Sequence, residues 1–302
     1  MKRFLTFLLF AFSTHVFAQD IVVSAFLYEQ NSSNPIPYAT IIDITSNKYG
    51  TTSQKDGSFK LLLPKGSSNN NIYISSLGYR DTTLTISQLK ESQKLFLIPV
   101  IYELADVTVT TETVEEIEIG DSTADIVKQN NLTKGYEASA GFSWGAYIKV
   151  GKKDVEGTLK SIHVYIGNTG FPKAPLSLRI FEFEGEFEFF RSQPRSKFKD
   201  ILPELVILKA KKSGWFEADL STLNIKVPES GLYCMFTPLD YGEEFLYKTA
   251  HGTKYGATIA IYSDNKSGKS IYPFIQNKDK FTVIKKTNAP TPAVSITLSR
   301  NN

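Results

Sequence analysis

The sequence predicts an all-β protein, an N-terminal seven-stranded β-sandwich followed by a second sandwich of jelly-roll type. Three observations carry this. Apolar and β-branched side chains alternate with polar ones over short runs, the period of a strand with one face buried. Gly, Asn, Asp and Pro punctuate these runs at short intervals, as hairpins and loops require. Helical periodicity is almost missing. With 302 residues, 41% hydrophobic and 13% aromatic, the chain is long enough for two cores and too apolar for disorder.

Residues 1–18 stand apart from the folded part. Lys2 and Arg3 precede an apolar run from Phe4 to Phe12, and Val16-Phe17-Ala18 supplies a small-residue exit. This is the pattern of a secretory signal peptide cleaved after Ala18, since the run is far shorter than the ~20 residues a bilayer span needs. No later segment comes close to that length, so no transmembrane segment is expected in the mature chain. The expected location is therefore exported: periplasm, outer-membrane-associated or extracellular. Loss of Lys2 and Arg3 takes two from the 34 basic side chains and leaves one more base than the 31 acids. So even a balance implies no nucleic acid or other polyanion as partner. The lone Cys234 has no intramolecular disulfide partner and lies in Leu232-Tyr233-Cys234-Met235-Phe236, which reads as a buried, inert thiol.

Residues 20–110 form the first unit. Ile21 to Leu27 is a strand, and Asn31-Ser32-Ser33-Asn34-Pro35 turns the chain into a second strand from Tyr38 to Ile44. Asp56-Gly57 supplies the positive φ of a tight hairpin, behind which Phe59, Leu61 and Leu63 share one face. Ile72-Tyr73-Ile74 follows a polar loop, and Gly78 bends the chain before Tyr79. Leu84-Thr85-Ile86, Lys94 to Ile98 and Val107-Thr108-Val109 complete about seven strands.

Four segments in order, Pro37-Tyr38-Ala39-Thr40, Asp56-Gly57-Ser58-Phe59, Ser75-Ser76-Leu77-Gly78-Tyr79 and Leu104-Ala105-Asp106-Val107-Thr108-Val109, sit where the carboxypeptidase-regulatory-like domain places them. The first third of the chain resembles this peptidase-associated, transthyretin-like domain, widespread in exported proteins of Bacteroidetes-type bacteria. The resemblance implies an adaptor without catalytic residues of its own, found beside metallocarboxypeptidase domains or ahead of outer-membrane transporters.

Residues 111–134 read as an acidic linker, with Glu112, Glu115, Glu116, Glu118, Asp121 and Asp125 and almost no aromatics. The acids could also bind a cation, but the D-x-D spacing and turn glycine of a calcium loop are missing. Residues 135–302 form the second unit, with strands expected at Ala146 to Val150, Leu159 to Ile166, Leu176 to Phe183, Glu204 to Leu208, Trp215 to Leu220, Gly231 to Thr237, Thr258 to Tyr262 and Ala293 to Leu298. Gly214 to Leu220 and Ile225 to Tyr233 are similar to a sandwich that follows the transthyretin-like module in some exported proteins. They describe a strand whose Trp215 packs inward, a turn, and a strand started by Pro228 and Gly231.

Phe181, Phe183, Phe187 and Phe189 share one parity, and Glu182, Glu184, Glu186 and Glu188 the other. Pairing across Gly185 would give an edge hairpin with an aromatic and an acidic face, protected by charge or offering a sugar or cation surface. Arg191, Arg195, Lys197 and Lys199 then read as a solvated basic loop.

Catalytic chemistry has few footholds. His163 and His251, the histidines left after the leader, lie far apart without an H-E-x-x-H companion, which argues against zinc catalysis. His163 reads as a surface or hydrogen-bonded core residue and His251 as a loop residue. Gly141-Phe142-Ser143-Trp144-Gly145 matches G-x-S-x-G in its letters, but a nucleophile elbow needs a strand-to-helix turn and no helix is expected to follow. No catalytic, cofactor-binding or metal-binding residue is therefore assigned and no cofactor is expected. The expected function is a non-enzymatic envelope binding or scaffolding protein with an envelope protein or glycan as partner. The alternatives are a glycan or peptide hydrolase with paired carboxylates in the second unit, and an accessory of an outer-membrane uptake complex.

Overall fold

Strand pairing dominates the computed structural model, which describes residues 20–100, 114–120, 122, 135–155, 157–185, 191–250, 252–262, 270–284 and 289–301. The protein is all-β. The leader and the expected strand at Val107 to Val109 lie outside the described residues.

The first unit contains β1 (Ile21–Glu29), β2 (Thr40–Asp43), β3 (Gly50–Thr52), β4 (Ser58–Leu63), β5 (Asn71–Ser75), β6 (Thr82–Thr85) and β7 (Lys94–Leu97). Its two sheets run β4-β1-β7 and β3-β2-β5-β6. Along β1 the odd residues Val23, Ala25 and Leu27 are buried, and they meet Phe59, Leu61, Leu63, Ile41, Ile72 and Ile74 in one core. Gly57 has φ +79°, and the Asp56 carboxylate accepts bonds from the Ser58 amide (3.0 Å) and hydroxyl (2.6 Å), so the turn is held by its own side chains. These bonds, hydroxyl first, hold the Asp56 carboxyl below its ordinary pKa.

The strand expected at Leu84-Thr85-Ile86 is corrected. It stops at Thr85, and α1 (Ile86–Glu91) begins. Thr85 caps it, its hydroxyl accepting from the Gln88 amide at 3.2 Å while the Gln88 side chain accepts from the Thr85 amide at 2.8 Å. Ile86 and Leu89 anchor the helix in the core. Thr85→Ala should lose about 1 kcal/mol in a urea melt by removing one half of this reciprocal cap.

The second unit comprises β8 (Val114–Ile119), β9 (Gly135–Ala138), β10 (Trp144–Ile148), β11 (Thr158–Gly170), β12 (Leu176–Phe183), β13 (Gln193–Pro194), β14 (Phe198–Asp200), β15 (Val206–Leu208), β16 (Gly214–Asp219), β17 (Leu232–Pro238), β18 (Leu246–Thr249), β19 (Gly252–Tyr262), β20 (Ile271–Asn277), β21 (Lys280–Val283), β22 (Thr291–Pro292) and β23 (Val294–Asn301). One sheet runs β13-β21-β20-β10-β17-β12-β14, with β15 also on β12. The other runs β18-β19-β11-β23-β8, with β16 on β11 and both β9 and β22 on β19. Ala146, Ile148, Leu178, Ile180, Cys234 and Phe236 of the first sheet face Ile162, Val164, Ile259, Val294, Ile296 and Leu298 of the second.

Three expectations change here. Part of the acidic linker is a strand: β8 pairs antiparallel with β23, and Arg300 grips Glu115 (2.6 Å) and Asp154 (2.9 Å). Glu112, Asp121 and Asp125 lie outside the described residues. Trp215 does not face the main core. It shares a parity with the exposed Glu217 and Asp219 and packs on Tyr165, Ala260, Tyr262 and Ala293, while its neighbour Phe216 faces inward.

Phe181 and Phe183, finally, are not on an edge hairpin. β12 lies between β17 and β14, and both rings are buried with Tyr147, Phe198, Tyr233, Met235, Tyr272, Phe274 and Phe281. The sheet around β10, β17 and β12 is thus apolar on both faces. Continuous runs such as Leu232 to Phe236 follow from this, because a strand buried on two sides has no polar face to alternate with. Phe187 and Phe189 lie outside the described residues.

Candidate functional site

The Gly-x-Ser-x-Gly letters resolve into packing. Ser143 lies before a strand, not a helix, and its hydroxyl shares a 2.6 Å bond with the Thr237 hydroxyl. Gly141, at φ +77°, lets the Thr51 backbone of the first unit approach to where a Cβ would sit. Gly145 lies where a Cβ would strike the Cys234 carbonyl across the sheet. Both glycines therefore serve close backbone approach.

His163 belongs to a polar row across four strands on the outer face of the second sheet. Its Nδ1 lies 3.3 Å from the Ser295 hydroxyl and its Nε2 3.4 Å from Glu217, while Ser295 donates to Glu118 at 2.7 Å. Serine, histidine and carboxylate thus come together, a grouping that sequence distance concealed. The serine is fully buried and its proton goes to Glu118, so histidine takes no proton from it and no substrate reaches its oxygen. His251 lies outside the described residues. Among the described residues no three His, Cys, Asp or Glu side chains gather around a common point.

Burial pushes the Cys234 thiol up to about 12. Since the thiolate is the nucleophile, Cys234 should stay unmodified by a disulfide exchange reagent at pH 8 in the native protein and react fully in denaturant, a difference read by absorbance.

The expected basic loop divides. Lys199 makes a 3.1 Å pair with Glu182 near the surface, but Arg195 is buried. It shares the Asp200 carboxylate with Arg179: Arg179 Nε donates at 2.9 Å and Nη2 at 2.5 Å, and Arg195 Nη2 at 2.9 Å. Arg195 also donates to the Phe198 carbonyl, and both guanidiniums stack on Phe181, at 5.0 Å for Arg179 and 4.5 Å for Arg195. Burial works against the Arg179 charge, but Asp200, with Asp81 and Tyr73, outweighs it and raises the pKa above its ordinary value.

This cluster joins the two units. Arg179 Nη1 donates to Ser75 at 2.8 Å, Arg195 Nε lies 3.7 Å from Asp81, and Asp81 accepts from Tyr73 (2.8 Å) and Ser75 (2.6 Å) of the first unit. Leu77 of the Ser-Ser-Leu-Gly-Tyr segment packs against the core of the second unit, whereas Tyr79 turns back to Glu29 at 2.9 Å. A second contact forms around Asp240. Its carboxylate accepts from Thr51, its amide donates to Thr52 at 2.7 Å and its carbonyl accepts from Gln54 at 2.5 Å. Asn47 adds bonds to Asn277 and the Lys278 amide.

Beside the Asp240 contact a groove opens. Its larger part, about 640 Å³, runs from Phe26 and Lys60 of the first unit to Leu246 and Tyr255 of the second. An adjoining recess of about 410 Å³ reaches Lys48, Gly50, Leu62 and Lys254. Its carboxylates are Asp20, exposed at the start of the described chain, and Asp240, already engaged by Thr51 and the Gly242 amide. Its walls come from residues about 190 positions apart that only domain docking brings together.

The chain matches no family model and no curated protein. No helix among the described residues is long and apolar enough to cross a membrane.

Proposed function

We propose that the protein is a non-enzymatic binding or scaffolding component of the bacterial cell envelope, exported by its leader, with a carboxypeptidase-regulatory-like first sandwich. Its ligand, an envelope protein or glycan, is held in the groove between the sandwiches. The observation that carries this reading is the groove itself, a concave, part apolar surface with walls from two units that part-buried hydrogen bonds hold together. Ligand sites are characteristically concave and found at domain interfaces. Walls fixed before the ligand arrives bind without an ordering penalty.

The paired-carboxylate reading of a glycan hydrolase requires two carboxylates flanking the substrate. Here one of the two groove acids is committed to domain docking. The test incubates the mature protein with panels of envelope glycans and peptides, following binding by calorimetry and products by mass spectrometry. Saturable binding with unchanged ligand is expected. Cleavage of any panel member at a catalytic rate would overturn the proposal.

A further inference from the structure

We propose that the unpaired edge of β4 accepts an extended acidic peptide, which adds a strand to the first sandwich inside the groove; this inference rests on the binding reading above. The hydrogen-bond parity of the sheet sets the geometry. Leu27 donates its amide to the Gly57 carbonyl at 2.9 Å, so the odd residues of β1 point toward β4. In the register Val23 with Leu61 and Ala25 with Phe59, the odd residues of β4 point back. Lys60 and Leu62 therefore aim their N–H and C=O groups away from β1. β4 ends its sheet, and these groups have no backbone partner among the described residues. Both residues line the groove.

A row of free donors and acceptors at a sheet edge is a template for another strand. The second unit supplies the opposite wall, where Leu246 and Tyr255 sit directly across from each other on the β18–β19 hairpin and share one face. Leu62 and Leu246, 54% and 42% exposed, offer uncovered apolar contacts on the two sides. Charge selects the peptide. Lys48, Lys60 and Lys254 line the groove and form no ion pair among the described residues, against Asp20 and the already bonded Asp240. A carboxylate on the added strand opposite Lys60 would sit ~5 Å from it between Cβ atoms, the spacing of a cross-strand ion pair. A lysine on an open edge also deters self-association. That role alone predicts no ligand.

The test uses the mature protein, end-capped octapeptides alternating glutamate or lysine with valine, and a glutamate peptide interrupted by proline. Binding is read by calorimetry and hydrogen exchange. The glutamate–valine peptide should bind in a salt-dependent way and slow exchange at the Lys60 and Leu62 amides, which exchange freely without it. The lysine and proline peptides should bind at least ~10-fold more weakly. Leu62→Pro, which removes an outward donor without touching the ladder, should weaken binding about 10-fold. Lys60→Glu with Lys254→Glu, a surface change, should do the same should the proline variant fail to fold. Binding indifferent to peptide charge, or none at millimolar peptide, would overturn the inference. Protection that maps to another face would reject this edge and leave the binding reading standing, whereas cleavage of the peptide would remove that reading as well.

Discussion

Asp200→Ala is expected to lower stability by about 3–5 kcal/mol, the usual consequence of removing one partner from a buried ion pair. The carboxylate is 2% exposed and receives three bonds from Arg179 and Arg195, whose side chains are 11% and 9% exposed. Without it two guanidiniums beside Phe181 lose the anion they share, with Asp81 as the remaining acid of the cluster. Because the same arginines reach Ser75 and Asp81, the loss extends to the junction between the sandwiches. Calorimetry of the variant should therefore resolve two transitions where the parent shows one coupled transition. Arg179→Met, Arg195→Met and Asp200→Leu combined should recover part of the loss, since only Asp81, a quarter exposed and bonded to Tyr73 and Ser75, then lacks a counter-charge. A single-variant loss below about 1 kcal/mol in urea melts would show that the cluster does not hold the junction.

Phe198→Ala should cost a comparable amount, about 3–5 kcal/mol. The ring is 2% exposed and lies 5.0 Å from the Phe183 and Phe281 rings, 5.3 Å from Tyr233 and 5.6 Å from Phe274. It is the hub of the second apolar face, where several edge-on contacts add to plain burial. Phe198→Leu should cost distinctly less, because it keeps most of the volume. Near-ultraviolet circular dichroism should show the aromatic signal collapse in the alanine variant while the far-ultraviolet strand signal persists. A loss equal for leucine and alanine would mean that volume at this position does not matter. Residues 198 and 200 share one short strand, so the two losses should not add.

Features written into adjacent residues were legible in the sequence. The Asp56-Gly57 turn fixes its own conformation through Ser58, and the alternation of Phe59, Leu61 and Leu63 reports the single buried face behind it. α1 was equally local, since Thr85 and Gln88 have the spacing of a capping box, but the β-branched residues around Thr85 favoured a strand. The double-sided sheet was harder, because an unbroken apolar run is common to any fully buried segment. Arg195 looked solvated because its partners are Asp200 nearby and Asp81 more than a hundred residues earlier. The groove was illegible for the same reason. Its lysines and leucines acquire meaning only when Thr51, Thr52 and Gln54 close on Asp240.

The pairing of β8 with β23 has a mechanical consequence. Val114, where the second unit begins, lies opposite Asn301 near its end. Tension applied to the chain at Val114 and Asn301 would load that ladder one rung at a time, like opening a zipper, rather than shearing all rungs together. The second sandwich would thus yield at low force from this seam, and its opposite, groove-lining strands would be the last to feel the pull.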